Sequence, residues 1–337
     1  MILVDALYIN NGGGKILLDY LIAELEKSTL DVYFLLDNRI KGKHYKISEE
    51  KVIYLKGNFF KRHYFYLTNK KRFSKVLCFG NLPPNIKINA EVLTYFHQPM
   101  YLDIPDEFSF IEKFKFKCKI AILKQIAENT DYWLIQSPFI KEKLISKFHF
   151  KSEKVKVLPF YPEFISLDLN IIREENTYLY VSNATPHKNH KRLITVFCDF
   201  FDKYKKGKLI LTVNEDYPEI LGQIKESLEK GYPIENIGFV DRATLQKKYR
   251  SSEFLIFPSL TESFGLGLIE AIDCGCKVIG ADLPYTYEVC EPSLLFDPLS
   301  NISLFKALEN SLNSQKVKPS VPKIKNEISE LISLLQN

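Results

Sequence analysis

The sequence contains few of the residues and patterns that mark metal centres, disulfide scaffolds or membrane spans. Its 337 residues include six cysteines and one tryptophan, and no two cysteines have the spacing of a zinc site. We expect all six to be reduced thiols in a cytoplasmic protein. No uncharged apolar run is long enough to cross a bilayer, and the first residues do not resemble a signal peptide. Disulfide-rich secreted proteins, zinc proteins and integral membrane proteins are therefore disfavoured.

A strong excess of one charge is also missing. The formal net charge is +5, from 46 Lys and Arg against 41 Asp and Glu, which is too weak to indicate a nucleic-acid partner. Two stretches, residues 56–75 and 112–124, are nevertheless both basic and aromatic. Such stretches are either solvated faces or contacts with an anionic membrane surface, and the pattern alone leaves both open.

Short apolar runs alternate with longer amphipathic stretches along the whole chain, which predicts an α/β protein with parallel sheets. The alternation breaks at residues 159–176 and then restarts, and we place a domain boundary there. The sequence thus predicts one domain over 1–160, a second over 161–320, and a C-terminal helix within 321–337 that packs back on the first domain. Ligands of such folds bind at the carboxyl ends of the strands, in the cleft that two sheets leave between them.

The most informative segment is Phe257–Glu270, with the sequence FPSLTESFGLGLIE. It predicts a buried strand, a loop and a helix that begins near Phe264. The unpaired amides of a first helical turn suit a diphosphate. The carboxylates of Glu262 and Glu270 suit hydroxyl groups of a ribose or sugar ring. Alternatively, Glu262 caps the helix and Glu270 is a surface charge.

This segment and its flanks resemble the retaining glycosyltransferases of family 4, which have the GT-B architecture of two Rossmann-like domains whose parallel sheets face a central cleft. In the C-terminal half the resemblance extends over Tyr180–Ile194, Ile237–Val289 and Leu294–Pro298. In the N-terminal half it is limited to Gly12–Gly14, His97 and the segment Trp133–Phe139.

The resemblance implies roles for individual residues of the C-terminal half. Glu262 would contact the donor sugar and Glu270 the donor ribose. Lys188 would neutralise the leaving nucleoside diphosphate, where a fixed cation stabilises the transition state more than the ground state. The diphosphate would also face the start of the helix, at Ser263, Phe264, Gly265 and Leu266, and Gly265 and Gly267 would allow close backbone approach there.

One position departs from the family pattern. Many members carry an arginine six residues before the lysine, and this chain has Ser182 there. The second cationic contact to the diphosphate is therefore missing at that position. Lys191 and Arg192 are near in sequence, but we expect them to lie on a helix with other partners.

In the N-terminal half, the resemblance makes Gly12, Gly13 and Gly14 part of a loop, Asn10–Lys15, that closes over the diphosphate and the acceptor. It places His97 beside the donor sugar, although a histidine hydrogen-bonded in a turn is an alternative. No Asp-x-Asp metal motif occurs, and the resemblance implies no cofactor and no obligatory metal.

Two nucleotide-binding alternatives to this glycine loop fit less well. A P-loop requires a glycine at Ile9 and Ser or Thr at Ile16. A dinucleotide fingerprint requires a third glycine at Leu17, although Asp37 at the end of the second strand suits a ribose. The oxidoreductase hypothesis is therefore disfavoured.

The resemblance thus predicts a retaining hexosyltransferase of the GT-B class. Its expected partners are a nucleotide-sugar donor and a glycan acceptor of a bacterial surface polysaccharide, such as a capsule or O-antigen, with the acceptor linked to a lipid. We expect a cytoplasmic protein, peripheral on the inner face of the membrane. A non-catalytic nucleotide-sugar-binding subunit and a nicotinamide oxidoreductase are the remaining alternatives.

Overall fold

A computed structural model describes residues 1–42, 45–105, 108–164 and 171–337. The chain forms two compact units, each built on its own parallel sheet. The N-terminal unit comprises Met1–Pro162 and Lys325–Asn337, and the C-terminal unit comprises Glu163–Ile324. The chain therefore leaves the N-terminal unit once and returns to it with its last residues.

The N-terminal unit has a sheet of seven strands in the order β3-β2-β1-β4-β5-β6-β7, and neighbouring strands are parallel. The strands are β1 (Ile2–Ala6), β2 (Val32–Asp37), β3 (Val52–Leu55), β4 (Lys75–Cys78), β5 (Glu91–Phe96), β6 (Tyr132–Ile135) and β7 (Val155–Val157). The helices are α1 (Gly12–Lys27), α2 (Phe59–Thr68), α3 (Phe110–Ile126), α4 (Pro138–Phe148) and the final helix, α11 (Ile328–Gln336).

The C-terminal unit has a sheet of six strands in the order β10-β9-β8-β11-β12-β14, again with parallel neighbours. Its strands are β8 (Glu174–Tyr180), β9 (Lys208–Leu211), β10 (Ile234–Asn236), β11 (Ser252–Phe257), β12 (Lys277–Ala281) and β14 (Leu294–Phe296). Its helices are α5 (His190–Tyr204), α6 (Pro218–Glu229), α7 (Arg242–Ser251), α8 (Leu266–Asp273), α9 (Pro284–Val289) and α10 (Asn301–Ser311). Two strands of two residues each, β13 (Cys290–Glu291) and β15 (Val321–Pro322), pair antiparallel.

Buried strands explain why the alternating pattern predicted the sheets. All residues of β1, β2 and β11 are buried, as expected for strands covered by helices on both faces of a parallel sheet. The helices between the strands cover the two faces of the sheet, so each needs one apolar side against the sheet and one polar side toward solvent. This is the α/β architecture that the sequence predicts, and it appears in both units.

The C-terminal helix differs from its predicted extent. Within 321–337 the sequence predicts a helix over Lys323–Leu335, but α11 extends from Ile328 to Gln336, and Val321–Pro322 pairs with Cys290–Glu291 inside the C-terminal unit. Proline at 319 and 322 disfavours a helix over these residues. From Lys325 onward the chain belongs to the N-terminal unit, where the amide group of Asn326 donates to the Tyr20 hydroxyl at 2.9 Å.

A buried ion pair fixes α2 to the N-terminal sheet. The guanidinium of Arg62 in α2 lies 2.8 Å from the Asp5 carboxylate in β1 and also donates to the carbonyl oxygens of Leu82 and Pro83. The Tyr66 hydroxyl donates to the same carboxylate at 2.6 Å. Arg62, Asp5 and Tyr66 are all buried. The inward face of α2 is therefore attached to the sheet by an ion pair. The composition of residues 56–75 did not indicate that one of its basic residues is buried.

Candidate functional site

Two loops at the carboxyl edge of the C-terminal sheet carry the first pair of predicted site residues. Strands β8 and β11 are parallel neighbours, so the loops that follow them leave from the same edge. Lys188 ends a short 3-10 turn after β8, and Glu262 lies in the loop after β11. Lys188 Nζ lies 2.5 Å from Glu262 Oε1. The fold thus joins two residues that are 74 positions apart in the sequence.

The ion pair is mostly buried, and the backbone around it is fixed. The side chains of Lys188 and Glu262 are 15% and 13% exposed. The amide of Leu260 donates to the carbonyl of His187 at 2.8 Å and so ties the two loops together. The Tyr180 hydroxyl donates to the Lys188 carbonyl at 2.8 Å. Both charges are therefore held in place by neighbouring structure before any ligand arrives.

Two histidines that flank Lys188 are held neutral. Burial, together with the positive charge of Lys188, lowers the pKa of His187 to about 4 and that of His190 to about 3. The His190 ring packs on Tyr180 with 4.6 Å between ring centroids. Neither imidazole changes charge near neutral pH, where an unperturbed histidine titrates. The positive charge of this loop is therefore carried by Lys188.

The helix after β11 begins later than predicted. Helix α8 starts at Leu266, and Gly265 before it has φ of 72°, a left-handed conformation that favours glycine. Of the predicted diphosphate contacts Phe264, Gly265 and Leu266, only Leu266 lies in the first turn. The amides of Leu266 and Gly267 have no partner within the helix. Ser263 is partly exposed in the same loop, whereas the Phe264 side chain is buried.

The second glycine of this segment is explained by packing within the unit. A Cβ on Gly267 would lie 3.2 Å from Phe257 Cε2 and 3.4 Å from the Tyr249 hydroxyl oxygen. A side chain at 267 would therefore push α8 away from β11 and α7. Gly267 is thus required for packing within the unit, and the close approach of a ligand to its backbone stays a prediction.

Glu270 is buried and has two hydrogen-bond partners. It is only 3% exposed, which is incompatible with the alternative that it is a surface charge. Arg242 Nη1 lies 2.6 Å from Glu270 Oε1, and the Tyr249 hydroxyl donates to Oε2 at 3.1 Å. Burial raises the pKa of Glu270, and the positive charge of Arg242 opposes that rise. The buried carboxylate is thus fixed in orientation by two residues of α7.

Arg242 and Tyr249 have no role among the predicted site residues, although both lie in the segment that resembles family 4. They are seven residues apart on α7, so they lie on the same face of the helix, two turns apart. That spacing could have indicated that both side chains reach one partner. Their common partner, Glu270, lies on the following helix, α8, and only the fold shows that it is the partner.

Ser182, which stands where many family members have an arginine, makes hydrogen bonds through its backbone. The Ser182 amide donates to Thr212 Oγ1 at 3.0 Å, and that hydroxyl donates to the Ser182 carbonyl at 3.2 Å. Lys191 pairs with Glu219, and Arg192 donates to the Pro298 carbonyl at 2.5 Å. Both cations lie on α5 and have other partners, as the sequence predicted.

In the N-terminal unit, the structure brings His97 against Gly14, one of the three predicted glycines. A Cβ on Gly14 would lie 2.8 Å from His97 Cε1, so only glycine fits beside the imidazole. The ring packs against Phe79 and Tyr95, and the His97 amide donates to Asn81 Oδ1 at 2.6 Å. Burial lowers the pKa of His97 to about 4, so the imidazole is neutral at pH 7.

The glycines themselves form a helix start and not an extended loop. Helix α1 begins at Gly12, which has φ of 62°, and Asn11 is its N-cap residue. The prediction of a loop over Asn10–Lys15 was therefore wrong beyond Asn11. Lys15 is buried and pairs with Asp19 four residues later, a spacing that places both on one helical face.

Asp37, which made the dinucleotide hypothesis arguable, has protein partners. Its carboxylate is fully buried, accepts from Arg39 Nη2 at 2.9 Å, and accepts from the Tyr8 amide at 3.3 Å. These contacts lower the pKa of Asp37 against the opposing effect of burial. The acid that a ribose would need in that hypothesis is thus engaged by the N-terminal unit itself.

Comparison with known proteins finds a family model that matches the C-terminal unit. Residues 163–321 match the family model described as glycosyl transferases group 1. The chain is 27% identical over 238 residues to the O-antigen chain mannosyltransferase RfbU of Salmonella typhimurium. This match covers 70% of the chain but 64% of RfbU, so the matched region spans less than two thirds of that relative's length.

Solved structures resemble the chain over almost its whole length. WaaG, a glycosyltransferase involved in lipopolysaccharide biosynthesis, matches 93% of this chain and 90% of its own, with a TM-score of 0.72 and 14% identity. HepE of Anabaena, solved with UDP and glucose, matches 94% of this chain and 91% of its own, with a TM-score of 0.69 and 15% identity. These likenesses confirm the predicted GT-B fold of two α/β domains with parallel sheets.

Proposed function

We propose that this chain, whose C-terminal unit belongs to the glycosyl transferases group 1, transfers a hexose from a nucleoside diphosphate sugar to a glycan hydroxyl with retention of configuration. One observation carries the proposal. A lysine and a glutamate meet at the carboxyl edge of the C-terminal sheet, and the same loop leads from that glutamate to the start of α8. A cation, open helix amides and a sugar-binding carboxylate are the groups that departure of a diphosphate from a sugar requires.

The charged groups have complementary roles in the proposed reaction. Breaking the bond between the anomeric carbon and the phosphate oxygen leaves that electron pair, and a growing negative charge, on the diphosphate. Lys188 and the amides of Leu266 and Gly267 stabilise that charge. Glu262, released from Lys188, accepts hydrogen bonds from the donor sugar. Glu270 accepts hydrogen bonds from the ribose hydroxyls.

The acceptor hydroxyl would attack the anomeric carbon on the same face that the diphosphate leaves. A leaving phosphate oxygen takes the proton of the acceptor, so no residue of the protein needs to form a covalent bond with the sugar. We assign His97 and the glycine turn of α1 to sugar binding in the N-terminal unit. Because His97 is neutral, it would act by hydrogen bonding and packing. The hexose and the retaining outcome are parts of this proposal.

The names of the relatives support a proposal for the biological setting. RfbU is named as an O-antigen chain mannosyltransferase and WaaG as a glycosyltransferase of lipopolysaccharide biosynthesis. We propose a bacterial surface polysaccharide as the product and a glycan on a lipid carrier as the acceptor. The proposed location is the cytoplasmic face of the membrane. No described helix combines the length and apolarity needed to span a bilayer.

Nucleotide binding provides the direct test. We expect UDP or GDP to bind without metal. At one hundred times its dissociation constant, the nucleotide should add about 2.7 kcal/mol to the free energy of unfolding and so raise the melting temperature. Glu270→Ala should weaken this binding, because the buried carboxylate is the proposed ribose acceptor. Thermal shift with and without EDTA measures both effects. Stabilisation that disappeared in EDTA would refute metal-free binding, and unchanged affinity in Glu270→Ala would refute the ribose assignment.

A surface of the N-terminal unit supports the membrane proposal. The exposed side of α2 carries Phe60 and Tyr64, which are 79% and 68% exposed, and that of α3 carries Phe110 and Phe114, which are 85% and 60% exposed. Exposed lysines lie on the same helices, at 61, 115, 117, 119 and 124. The two helices follow crossovers in the same direction across the sheet, so the right-handed rule places them on the same face. Aromatic and basic side chains together suit an anionic bilayer.

We expect the protein to float with anionic vesicles at low salt and less at high salt, because charge attraction is screened within about 8 Å at physiological ionic strength. Changing the lysines at 115, 117 and 119 to glutamate should abolish flotation. The matched control changes the exposed lysines at 206, 225 and 247 in the C-terminal unit, which alters net charge by the same amount. Equal loss in both triple variants, or no flotation of the wild type, would contradict the proposed surface.

A further inference from the structure

Glu270 is held by residues that lie outside its own helix. It is in the second turn of α8, while Arg242 and Tyr249 are on α7. Arg242 bonds Oε1 and Tyr249 bonds Oε2, so each carboxylate oxygen has one protein donor. A carboxylate has about four lone-pair directions. Two of them are therefore used by the protein, and two remain to accept further hydrogen bonds.

Arg242 has a fixed place at the start of its helix and a ring contact besides its ion pair with Glu270. It is the first residue of α7, whose N-cap Asp241 accepts from the Thr244 amide at 2.8 Å. Its guanidinium lies 4.2 Å from the centroid of the Phe164 ring. The side chain is 34% exposed, in contrast to the 4% of Glu270. The pair thus joins a buried carboxylate to a guanidinium that is partly exposed to solvent.

Tyr249 is a permanent donor in this arrangement. It is fully buried, and burial raises its pKa well above the usual value, with the negative charge of Glu270 adding to the rise. The phenol therefore remains protonated. Gly267 allows its hydroxyl to lie against α8, since a Cβ there would be 3.4 Å from the hydroxyl oxygen. The absence of a side chain at 267 thus brings the Tyr249 donor within reach of Glu270.

We propose that Arg242 and Tyr249 are positioning residues that keep the Glu270 carboxylate ionised and aimed so that its two remaining lone pairs accept the 2′- and 3′-hydroxyls of the donor ribose. This inference rests on the proposed function, in which Glu270 binds the ribose. Without Arg242, the buried carboxylate loses its compensating charge and takes up a proton more easily. A protonated acid offers fewer acceptor sites and donates one hydrogen bond, so the diol loses part of its binding site.

The test compares ribose with dideoxyribose in wild type and variants. Calorimetry gives the affinities of UDP and GDP and of their 2′,3′-dideoxy forms, for the nucleotide that binds. In the wild type the hydroxyls should improve affinity about tenfold or more, as expected for hydrogen bonds to a charged group. In Arg242→Gln that preference should fall to about twofold, while affinity for the dideoxy nucleotide stays near the wild-type value. Tyr249→Phe should reduce the preference by a smaller factor.

Several controls separate positioning from a loss of structure. Lys247→Gln changes an exposed residue on the same helix and should keep the full preference for ribose. Arg242→Lys retains a positive charge without the planar guanidinium and should recover part of the preference. If Arg242→Gln does not fold, Tyr249→Phe and Arg242→Lys provide the same comparison.

The outcomes distinguish this inference from the proposed function. A wild type that binds both nucleotides equally would overturn the ribose assignment of Glu270 and with it the positioning roles. A wild type that prefers ribose, with the preference lost in Glu270→Ala but retained in both Arg242→Gln and Tyr249→Phe, would overturn only the positioning roles. Equal losses for both nucleotides in Arg242→Gln would assign Arg242 a structural role, which also overturns the inference.

Discussion

Replacing Lys188 by alanine is expected to slow sugar transfer by about 100- to 1000-fold, the usual loss when one preorganised transition-state contact is removed. Donor affinity should change far less, within about tenfold, because the amides of Leu266 and Gly267 still face the ground-state diphosphate. The reason for the difference is that charge grows on the diphosphate only as the sugar departs. His187 and His190 cannot replace the lost cation because burial keeps both neutral.

Single-turnover transfer and equilibrium donor binding, measured on the same variant, separate these two effects. Lys191→Ala is the matched control, since Lys191 is an exposed neighbour that pairs with Glu219. Near-normal transfer by Lys188→Ala would show that another group neutralises the leaving diphosphate. Equal losses in affinity and rate would instead mean that Lys188 contributes the same stabilisation to ground and transition states.

The ion pair complicates this variant, because Lys188→Ala leaves Glu262 partly buried without its cation. The negative charge of Glu262 would then repel the diphosphate and could account for a slow reaction on its own. The double variant Lys188→Ala/Glu262→Gln removes that charge. We expect it to remain at least as slow as Lys188→Ala, and recovery of the rate would assign the defect to repulsion.

Replacing Arg62 by methionine is expected to lower the free energy of unfolding of the N-terminal unit by about 3–5 kcal/mol, the range observed when one partner of a buried ion pair is removed. Asp5 would remain buried with its charge uncompensated, and the carbonyls of Leu82 and Pro83 would lose their donor. Methionine fills a similar volume, so the effect is not one of a cavity. The same change weakens the attachment of α2.

Urea unfolding followed by tryptophan fluorescence suits this measurement, since the single tryptophan, Trp133, is buried in β6 of the same unit. Lys61→Met is the control: it changes the adjacent but exposed residue of α2, and such surface changes usually shift stability by less than about 0.5 kcal/mol. Asp5→Asn combined with Arg62→Met should recover part of the loss. If Arg62→Met and Lys61→Met had the same midpoint, the buried pair would not stabilise the unit.

The sequence was most informative where one local pattern determines one local structure. Apolar runs separated by amphipathic stretches predicted two parallel α/β sheets, and the helix Pro218–Glu229 needs only its N-terminal proline and periodicity to be recognised. The start of α8 was wrong by two residues, because the left-handed backbone of Gly265 delays the helix. Composition does not show which glycine adopts that conformation.

Contacts between distant residues were the part that the sequence could not supply. Lys188 and Glu262 were each singled out, but their ion pair depends on the adjacency of β8 and β11. In the sequence, Arg242 could not be distinguished from the other charged residues of α7, and only the fold shows that it pairs with Glu270. Arg62 lies in a stretch that resembles a solvated basic surface, and only the buried Asp5 explains its position.

The division of the N-terminal unit into two chain segments has a consequence for synthesis. Residues 325–337 supply α11, whose Leu334 carbonyl accepts from Lys75 Nζ at 2.7 Å, and Asn326, whose side chain accepts from the Tyr161 amide. A ribosome makes these residues only after the entire C-terminal unit. The first unit to emerge therefore waits, without its last helix, for about 160 further residues, which take roughly 10–30 s at usual rates of protein synthesis. During that interval the surface that α11 covers is open to chaperones and proteases.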